Sequence, residues 1–283
     1  MAIRIITDST GDISAADGKA LGIDIIPLSV VFGDKIYRDG IDLTDPQFFD
    51  MLAKAEKLPT TTQAPPSAFE GIFRKYVEQG DEIIGIFVSS KISGTFQSAV
   101  IAKGLVGSDN IYLVDSKSAT LGMGMLVYEA VYQVRRGISA KEVAANIAAL
   151  TDRVRFYAIV DTLKYLKMGG RVSSAAAAIG GILGIKPIVI MSDCRLMPAG
   201  KVKGIKAGYE HVTKQVIAEP YDPDYSVAFA HSNSPKLMDD LITYVNLHLP
   251  QPIPVNKIIT GDIGCIIGTH CGPNCTGLAY IAK

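Results

Sequence analysis

The sequence predicts an α/β fold: a parallel, three-layer α/β domain of the Rossmann-like type, followed by an α+β domain. Three short apolar runs in the first half support the parallel sheet: Ile3 to Thr7, Ile83 to Val88 and Ile111 to Val114. Each has the length of a strand buried on both faces, and a helical pattern follows at least the last two. We divide the chain into domains 1–160 and 161–283 and expect the functional site at the interface between them.

The apolar runs of the first half end in polar residues. Asp8 to Gly11 follows the first run, Ser89 to Thr95 follows the second, and Asp115 to Thr120 follows the third. In open parallel sheets, ligands bind outside the carboxyl ends of the strands. The three hydroxyl-rich strand ends therefore predict one shared crevice.

The remaining elements are predicted from periodicity and helix signals. Ser139, with Glu142 three residues later, is a capping-box pattern for a helix that ends near Leu150. The other predicted elements are a helix over 121–136, a strand over 154–160, a short helix over 162–168 that stops at Gly169 and Gly170, a small-residue helix over 175–183, a strand over 186–191, a turn and hairpin over 196–202, helices over 205–217 and 235–248, and a strand over 226–230. The chain closes with the glycine-rich run 264–277 and the apolar run 278–282.

Composition excludes several classes of function. Lysine plus arginine (28) equals aspartate plus glutamate (28), so no global field favours nucleic acid or an anionic membrane surface. The longest apolar window, 175–185, is too short for a spanning helix, and the start lacks the pattern of a signal peptide. We therefore expect a cytoplasmic protein whose 48% hydrophobic residues fill a core or line a cavity.

The segment from Val88 to Ser98 is predicted to hold an anion. A strand enters a helix through Ser93, Gly94 and Thr95, which leaves backbone N–H groups free at the positive end of the helix dipole. A second hydroxyl cluster, Thr60 to Thr62, lies between prolines and is interpreted as a loop of fixed geometry that can face a ligand. The alternative is an ordinary polar surface turn.

Two constellations suggest other chemistry. His270, Cys271 and Cys275 are zinc-ligand types, but their spacing lacks the paired signature of zinc sites, so we predict no metal and interpret the cysteines as buried. Ser93 and His270 could form the core of a serine esterase or thioesterase, since triads are recognised by geometry rather than order. The nucleophile-elbow motif is absent around Ser93.

Basic residues of the second half form two candidate contact points. Arg171 follows the paired glycines and is expected to be exposed at a helix end, where it could meet an anionic ligand or a partner. Lys203 lies in a basic stretch over 201–206. The alternative for both is a solvated turn.

The motifs occur in an order that resembles the DegV family over nearly the whole chain. The segments that carry this resemblance are Ile6 to Thr10, Pro59 to Gln63, Ser90 to Ala99, Gly169 to Arg171 and Gly268 to Pro273. The resemblance implies a bacterial fatty-acid-binding protein, and some members are the acyl-carrying subunit of a fatty acid kinase that supplies phospholipid synthesis. The family loop Thr-Ser-Gln-Pro-Ser is replaced here by Thr61-Thr-Gln-Ala-Pro65, which retains the threonine.

The resemblance also implies roles for individual residues. Thr61 and Ser93 would hold the carboxylate of the fatty acid, and His270 would be linked to them. Further ligand contacts are expected from Thr62, Gly94 and Thr95. Arg171 and Lys203 would help to dock the kinase.

These observations together predict a non-catalytic carrier. The ligand would be a long-chain fatty acid such as palmitate, stearate or oleate, with the small-residue helix 175–183 in the wall of its tunnel. The partner would be the ATP-binding subunit of a fatty acid kinase, which converts the bound acid to an acyl phosphate. We expect no cofactor, no nucleic acid partner and only transient membrane contact. The esterase or thioesterase that uses Ser93 and His270 is the alternative.

Overall fold

The computed structural model describes residues 2–172 and 184–283, so the predicted helix over 175–183 and its place in a tunnel wall lie outside the described residues. In the first half, the strands are β1 (Ile3–Asp8), β2 (Ile23–Ile26), β3 (Ser29–Phe32), β4 (Lys35–Arg38), β5 (Thr60–Thr62), β6 (Glu82–Phe87) and β7 (Ile111–Asp115). The helices are α1 (Ala15–Leu21), α2 (Asp45–Lys54), α3 (Pro66–Glu78), α4 (Thr95–Val106), α5 (Thr120–Arg135) and α6 (Ala140–Leu150).

The second half contains a longer series of antiparallel strands. Its elements are β8 (Val154–Ile159), α7 (Lys164–Met168), β9 (Ile185–Ser192), β10 (Arg195–Lys203), α8 (Ile205–Ala218), β11 (Val227–Ser232), α9 (Pro235–His248), β12 (Ile258–Asp262), α10 (Cys265–Cys271) and β13 (Cys275–Ile281). None of the helices in the described ranges is both long enough and apolar enough to cross a membrane.

The first sheet is parallel and has the strand order β2-β1-β6-β7. The three strands predicted from apolar runs are β1, β6 and β7, and they are consecutive neighbours in this sheet. Ile6, Ile84 and Ile86 are fully buried, because helices or other parts of the chain cover both faces. This confirms the predicted parallel α/β architecture of the first half.

The second sheet has the strand order β10-β9-β8-β13-β11-β12 and is antiparallel apart from the β11–β12 pair. Its first strand in the chain is β8, which starts at Val154. The domain boundary near residue 160 stays a prediction. The helix after Ser139 also agrees with its prediction, since the Ser139 side chain accepts a hydrogen bond from the backbone of Glu142.

A third sheet, of order β4-β3-β5, corrects the interpretation of the threonine cluster as a loop. Thr60 to Thr62 forms β5, with Thr61 opposite Val30. Thr60 and Thr62 are exposed while Thr61 is half-buried. β5 is a three-residue edge strand with one inward side chain, so its sequence shows no alternation of apolar and polar residues from which a strand could be predicted. The β-branched threonines, which favour strands, were the available signal.

One further prediction in the second half is wrong. The turn predicted over 196–202 lies instead at Asp193 and Cys194, both with positive φ, and Arg195–Lys203 is one long strand with an irregularity between Pro198 and Gly200. A proline is tolerated there because β10 is an edge strand. The glycine-rich run 264–277, to which the sequence assigned no element, contains the seven-residue helix α10. A Cβ at its single glycine, Gly268, would lie 2.9 Å from the Phe48 ring and 3.0 Å from the Phe49 ring.

Candidate functional site

A cavity of about 360 Å³ lies between the carboxyl ends of the parallel strands and the inner face of the six-stranded sheet. Thr10, Val88 and Ala119 reach it from the segments that follow β1, β6 and β7. The structure therefore brings these three strand ends to one crevice, as predicted. The opposite wall is apolar and includes Phe156 and Ala158 of β8.

Three of the polar side chains that line this cavity are together called the hydroxyl corner: Thr61, Ser93 and His270. Three separate elements supply these side chains. β5 directs Thr61 inward, the turn before α4 presents Ser93, and α10 carries His270 near its end. Thr62 and Gly94 also line the cavity, whereas Thr95 lies behind Ser93 and is fully buried.

His270 is joined to Thr61 by a hydrogen bond of 2.9 Å between Nε2 and Oγ1. Burial, followed by the nearby positive charge of Arg171, lowers the pKa of His270 to about 4. The ring is therefore neutral at physiological pH, and the threonine hydroxyl and the imidazole can exchange donor and acceptor roles. Nδ1 is buried and has no hydrogen-bond partner among the described residues.

Gly169 explains how the His270 ring is accommodated. A Cβ at Gly169 would lie 2.2 Å from Nδ1 of His270. Any larger residue would collide with the imidazole, so the glycine lets α7 approach α10 closely. The paired glycines that the sequence presents as a helix stop thus also make room for a site residue.

Ser93 is held by its own turn. Its Oγ lies 2.9 Å from Oγ1 of Thr95 and accepts a hydrogen bond of 3.3 Å from the Thr95 backbone N–H. Gly94 precedes α4 and lies beneath the Gln63 side chain, whose Nε2 donates to Oγ of Ser98 at 3.0 Å. The Gln63 amide therefore links the strand that carries Thr61 to the helix that follows Ser93.

The esterase arrangement is not formed in this structure. Ser93 and His270 line the same cavity, but no hydrogen bond joins them, because Ser93 bonds to Thr95 and His270 bonds to Thr61. A serine nucleophile needs a base within hydrogen-bond reach, although such contacts can be loose before substrate binds. The geometry suits a pair of binding groups better than a nucleophile with its base.

Arg171 and Lys203 occupy different environments. Arg171, expected to be exposed, is half-buried: it lines the cavity and donates from Nη1 to the carbonyl of Gly169 at 2.5 Å. Burial lowers the pKa of its guanidinium. Its position follows from the contact between α7 and α10, which the sequence does not encode locally. Lys203 is exposed at the end of β10 and does not line the cavity.

The residues suspected of zinc binding do not form a metal-ligand cluster within the described part of the chain. The ligand atoms of His270, Cys271 and Cys275 are not gathered within 4.8 Å of one another, whereas those of Asp39, Asp45 and Cys265 are. This second group lies at the start of α10. Burial raises the pKa of Asp39 to about 6 and also raises the pKa of the Cys265 thiol.

The start of α10 is also tied to the segment after β1 and to the start of α2. The backbone N–H of Gly264 donates to Oδ1 of Asp12 at 3.0 Å, and the Cys265 thiol lies 3.5 Å from Oδ1 of Asp45. The first backbone N–H groups of a helix have no acceptor within the helix, and Asp12 supplies one from another part of the chain. These contacts fix the position of α10 and therefore of His270.

Sequence reasoning missed most of the apolar wall. Phe156, Ala158 and Val160 line the cavity from alternating positions of β8 and the residue after it. Their two-residue spacing was a usable signal, since alternate residues of a strand share one face. What the sequence does not show is which face of β8 covers the cavity.

Comparison with known proteins agrees with this architecture. The DegV family model matches residues 2–283. A DegV domain-containing protein of Caldanaerobacter subterraneus subsp. tengcongensis is 34% identical over 282 residues, which cover 99% of each chain. The solved structure of a fatty-acid-binding DegV family protein from Thermus thermophilus is 30% identical, with a TM-score of 0.90 and 100% of both chains covered.

A stearic acid-binding protein from Eubacterium ventriosum extends the comparison. It is 27% identical, with a TM-score of 0.81, and the match covers 100% of this chain and 99% of that one. The two similar structures therefore share the two-domain α/β fold and are both fatty-acid-binding proteins. The chain belongs to the DegV family.

Proposed function

We propose that this protein binds a long-chain fatty acid, buries the acyl chain in the cavity and holds the carboxylate at the hydroxyl corner. The observation that carries the proposal is the lining of the cavity. Thr61, Ser93 and His270 offer polar groups to a cavity whose wall is otherwise largely apolar. A molecule with one polar end and a long hydrocarbon tail matches that arrangement.

The hydroxyl corner suits a carboxylate. The Thr61 and Ser93 hydroxyls can rotate to donate to a ligand oxygen, and neutral His270 can return a hydrogen bond to Thr61. No covalent step is required of these residues. They act as binding groups that select the head group.

The tail supplies most of the affinity in this proposal. Each buried methylene contributes about 0.8 kcal/mol, so about ten of them contribute roughly 8 kcal/mol before the cost of immobilising the chain. A head-group hydrogen bond contributes about 1–3 kcal/mol. The corner therefore orients the acid, and the wall retains it. The family relatives from Thermus thermophilus and Eubacterium ventriosum bind ligands of this class.

The proposal continues with delivery of the acid to a separate kinase subunit, which phosphorylates the carboxylate. This step rests on the family resemblance, and it asks the carrier only to expose the head group and to dock the enzyme. We assign docking to Arg171, which lies beside the head-group end of the cavity, and to exposed Lys203. Palmitate, stearate and oleate are the candidate cargoes.

Native mass spectrometry of the purified protein tests the binding proposal. We expect a co-purifying long-chain acid, and Ser93→Ala should weaken its retention by about 1–3 kcal/mol because a buried carboxylate loses one donor. Ser90→Ala is the matched control, since Ser90 belongs to the same turn but is exposed and outside the cavity. A ligand-free protein that also takes up no added oleate would contradict the proposal.

Two further measurements separate the remaining possibilities. A fluorophosphonate probe should leave Ser93 unlabelled; labelling together with hydrolysis of acyl esters would favour the esterase instead. Docking is tested by acyl-phosphate formation with a fatty acid kinase subunit and ATP. Lys203→Ala should slow this reaction without changing fatty acid retention, whereas Lys214→Ala, on the exposed face of α8, should change neither.

A further inference from the structure

One aromatic side chain is shared by the apolar cavity and a second recess on the protein. Phe156 lines the cavity and also lines a recess of about 500 Å³. Among the residues that the structure describes, it is the only one common to the two. The other residues of the recess are mostly polar and include Lys117, Asp152, Arg155 and Ser192.

The position of Phe156 along β8 places it away from His270. Ile159, at the end of β8, is opposite Thr276, near the start of β13, which follows α10 closely in the chain. The last residues of β8 therefore lie at the end of the sheet that is near the end of α10, where His270 lies. Phe156 precedes Val160 by four residues, a distance of about 13 Å at roughly 3.3 Å per residue.

The size of the side chains that line the cavity changes along β8, from Val160 to Phe156. Val160 and Ala158 present small or medium side chains to the cavity, and then Phe156 presents a ring that is 8% exposed. Among the described cavity-lining residues it is the only phenylalanine, tyrosine or tryptophan. A ring is a rigid barrier, because only two torsions move it and packed interiors leave little room for it to swing.

We propose that Phe156 is the stop that limits the length of the acyl chain this protein accepts. The inference rests on the proposed function, since it names the residue that decides which fatty acids fit the same cavity. A chain that runs from the hydroxyl corner along Val160 and Ala158 meets the Phe156 ring before it can reach the recess. Truncation of the ring would join the two spaces and admit longer acids.

Competition among saturated acids, read by native mass spectrometry, tests this inference. The intact protein and its variants are stripped of lipid and offered an equimolar mixture of myristate, palmitate, stearate, arachidate and behenate. With Phe156→Ala we expect the ratio of bound arachidate to bound palmitate to rise about tenfold or more, because additional methylenes become accommodated. Phe156→Leu, which keeps a smaller apolar group, should give an intermediate shift.

Met191→Ala is the matched control. Met191 lines the recess from β9 but does not line the cavity, so its truncation enlarges the recess without opening it to the acyl chain. We expect its chain-length profile to match that of the unmodified protein. A Phe156→Ala or Phe156→Leu protein that binds acids with the unmodified profile would overturn the inference and leave the proposed function intact. An unmodified protein that binds none of the acids would overturn both.

Discussion

Thr61 and Ser93 of the hydroxyl corner come from the first half of the chain, whereas the apolar wall around Phe156 and Ala158 comes from the six-stranded sheet of the second half. The corner consists of short polar side chains held by specific hydrogen bonds. The wall consists of alternating strand positions that need only be apolar and of suitable volume. In the proposed function, head-group selection and tail retention are therefore assigned to separate parts of one cavity.

The largest effect should follow from filling the wall side of the cavity. Ala158→Phe places a ring where the chain is proposed to lie and displaces roughly four methylenes, which corresponds to about 3 kcal/mol of lost affinity. Isothermal titration with palmitate measures this loss. Tyr157→Phe is the control, because the adjacent residue faces away from the cavity. Unchanged affinity in Ala158→Phe would show that the tail does not follow β8.

His270 should make the stability of the corner depend on pH. Its pKa is about 4 in the folded protein and near 6.5 when unfolded, so the unfolded chain binds the proton more readily. Its contribution is present above pH 6.5 and is lost as pH falls toward 4, by up to about 3 kcal/mol. His270→Gln, which does not titrate, should lose less stability over that interval in urea denaturation. Equal losses in the two proteins would contradict the neutral, buried imidazole.

Thr61→Val removes the hydroxyl while nearly keeping the shape of the side chain. It leaves Nε2 of His270 buried without its partner, which should cost about 1–3 kcal/mol of folding stability. The same change should weaken binding of palmitate more than binding of its methyl ester, since the ester lacks the anionic head group. Equal weakening of both ligands would indicate damage to the wall rather than loss of a corner contact.

The smallest effect should come from the link between the two hydroxyl elements. A Cβ at Gly94 would lie 1.9 Å from Oε1 of Gln63, so Gly94→Ala must displace the amide and break its bond to Ser98, at a cost of about 1 kcal/mol. When Gln63 is also replaced by alanine, the space beside Gly94 is open. Gly94→Ala should therefore cost much less stability in the Gln63→Ala background. Thermal unfolding of the two single variants and the double variant measures the coupling. An additive result would show that the amide does not hold Gly94.

The sequence predicted part of the site because some of its signals are local. A strand that enters a helix through Ser93, Gly94 and Thr95 needs only neighbouring residues to form, and the structure has that arrangement. The predicted exposure of Arg171 was wrong for the opposite reason. Its burial depends on α7 packing against α10, about one hundred residues away in the chain.

By itself, the sequence determined the parallel sheet, the hydroxyl-rich ends of its strands and the helix after Ser139. These features depend on periodicity and capping, which operate over a few residues. Only the tertiary structure decided that Thr61 is on a strand, that it bonds to His270 across 209 positions, and that Phe156 lines both the cavity and the recess. Such pairings depend on which faces pack together, and that choice is made by burial over the whole chain rather than by any local pattern.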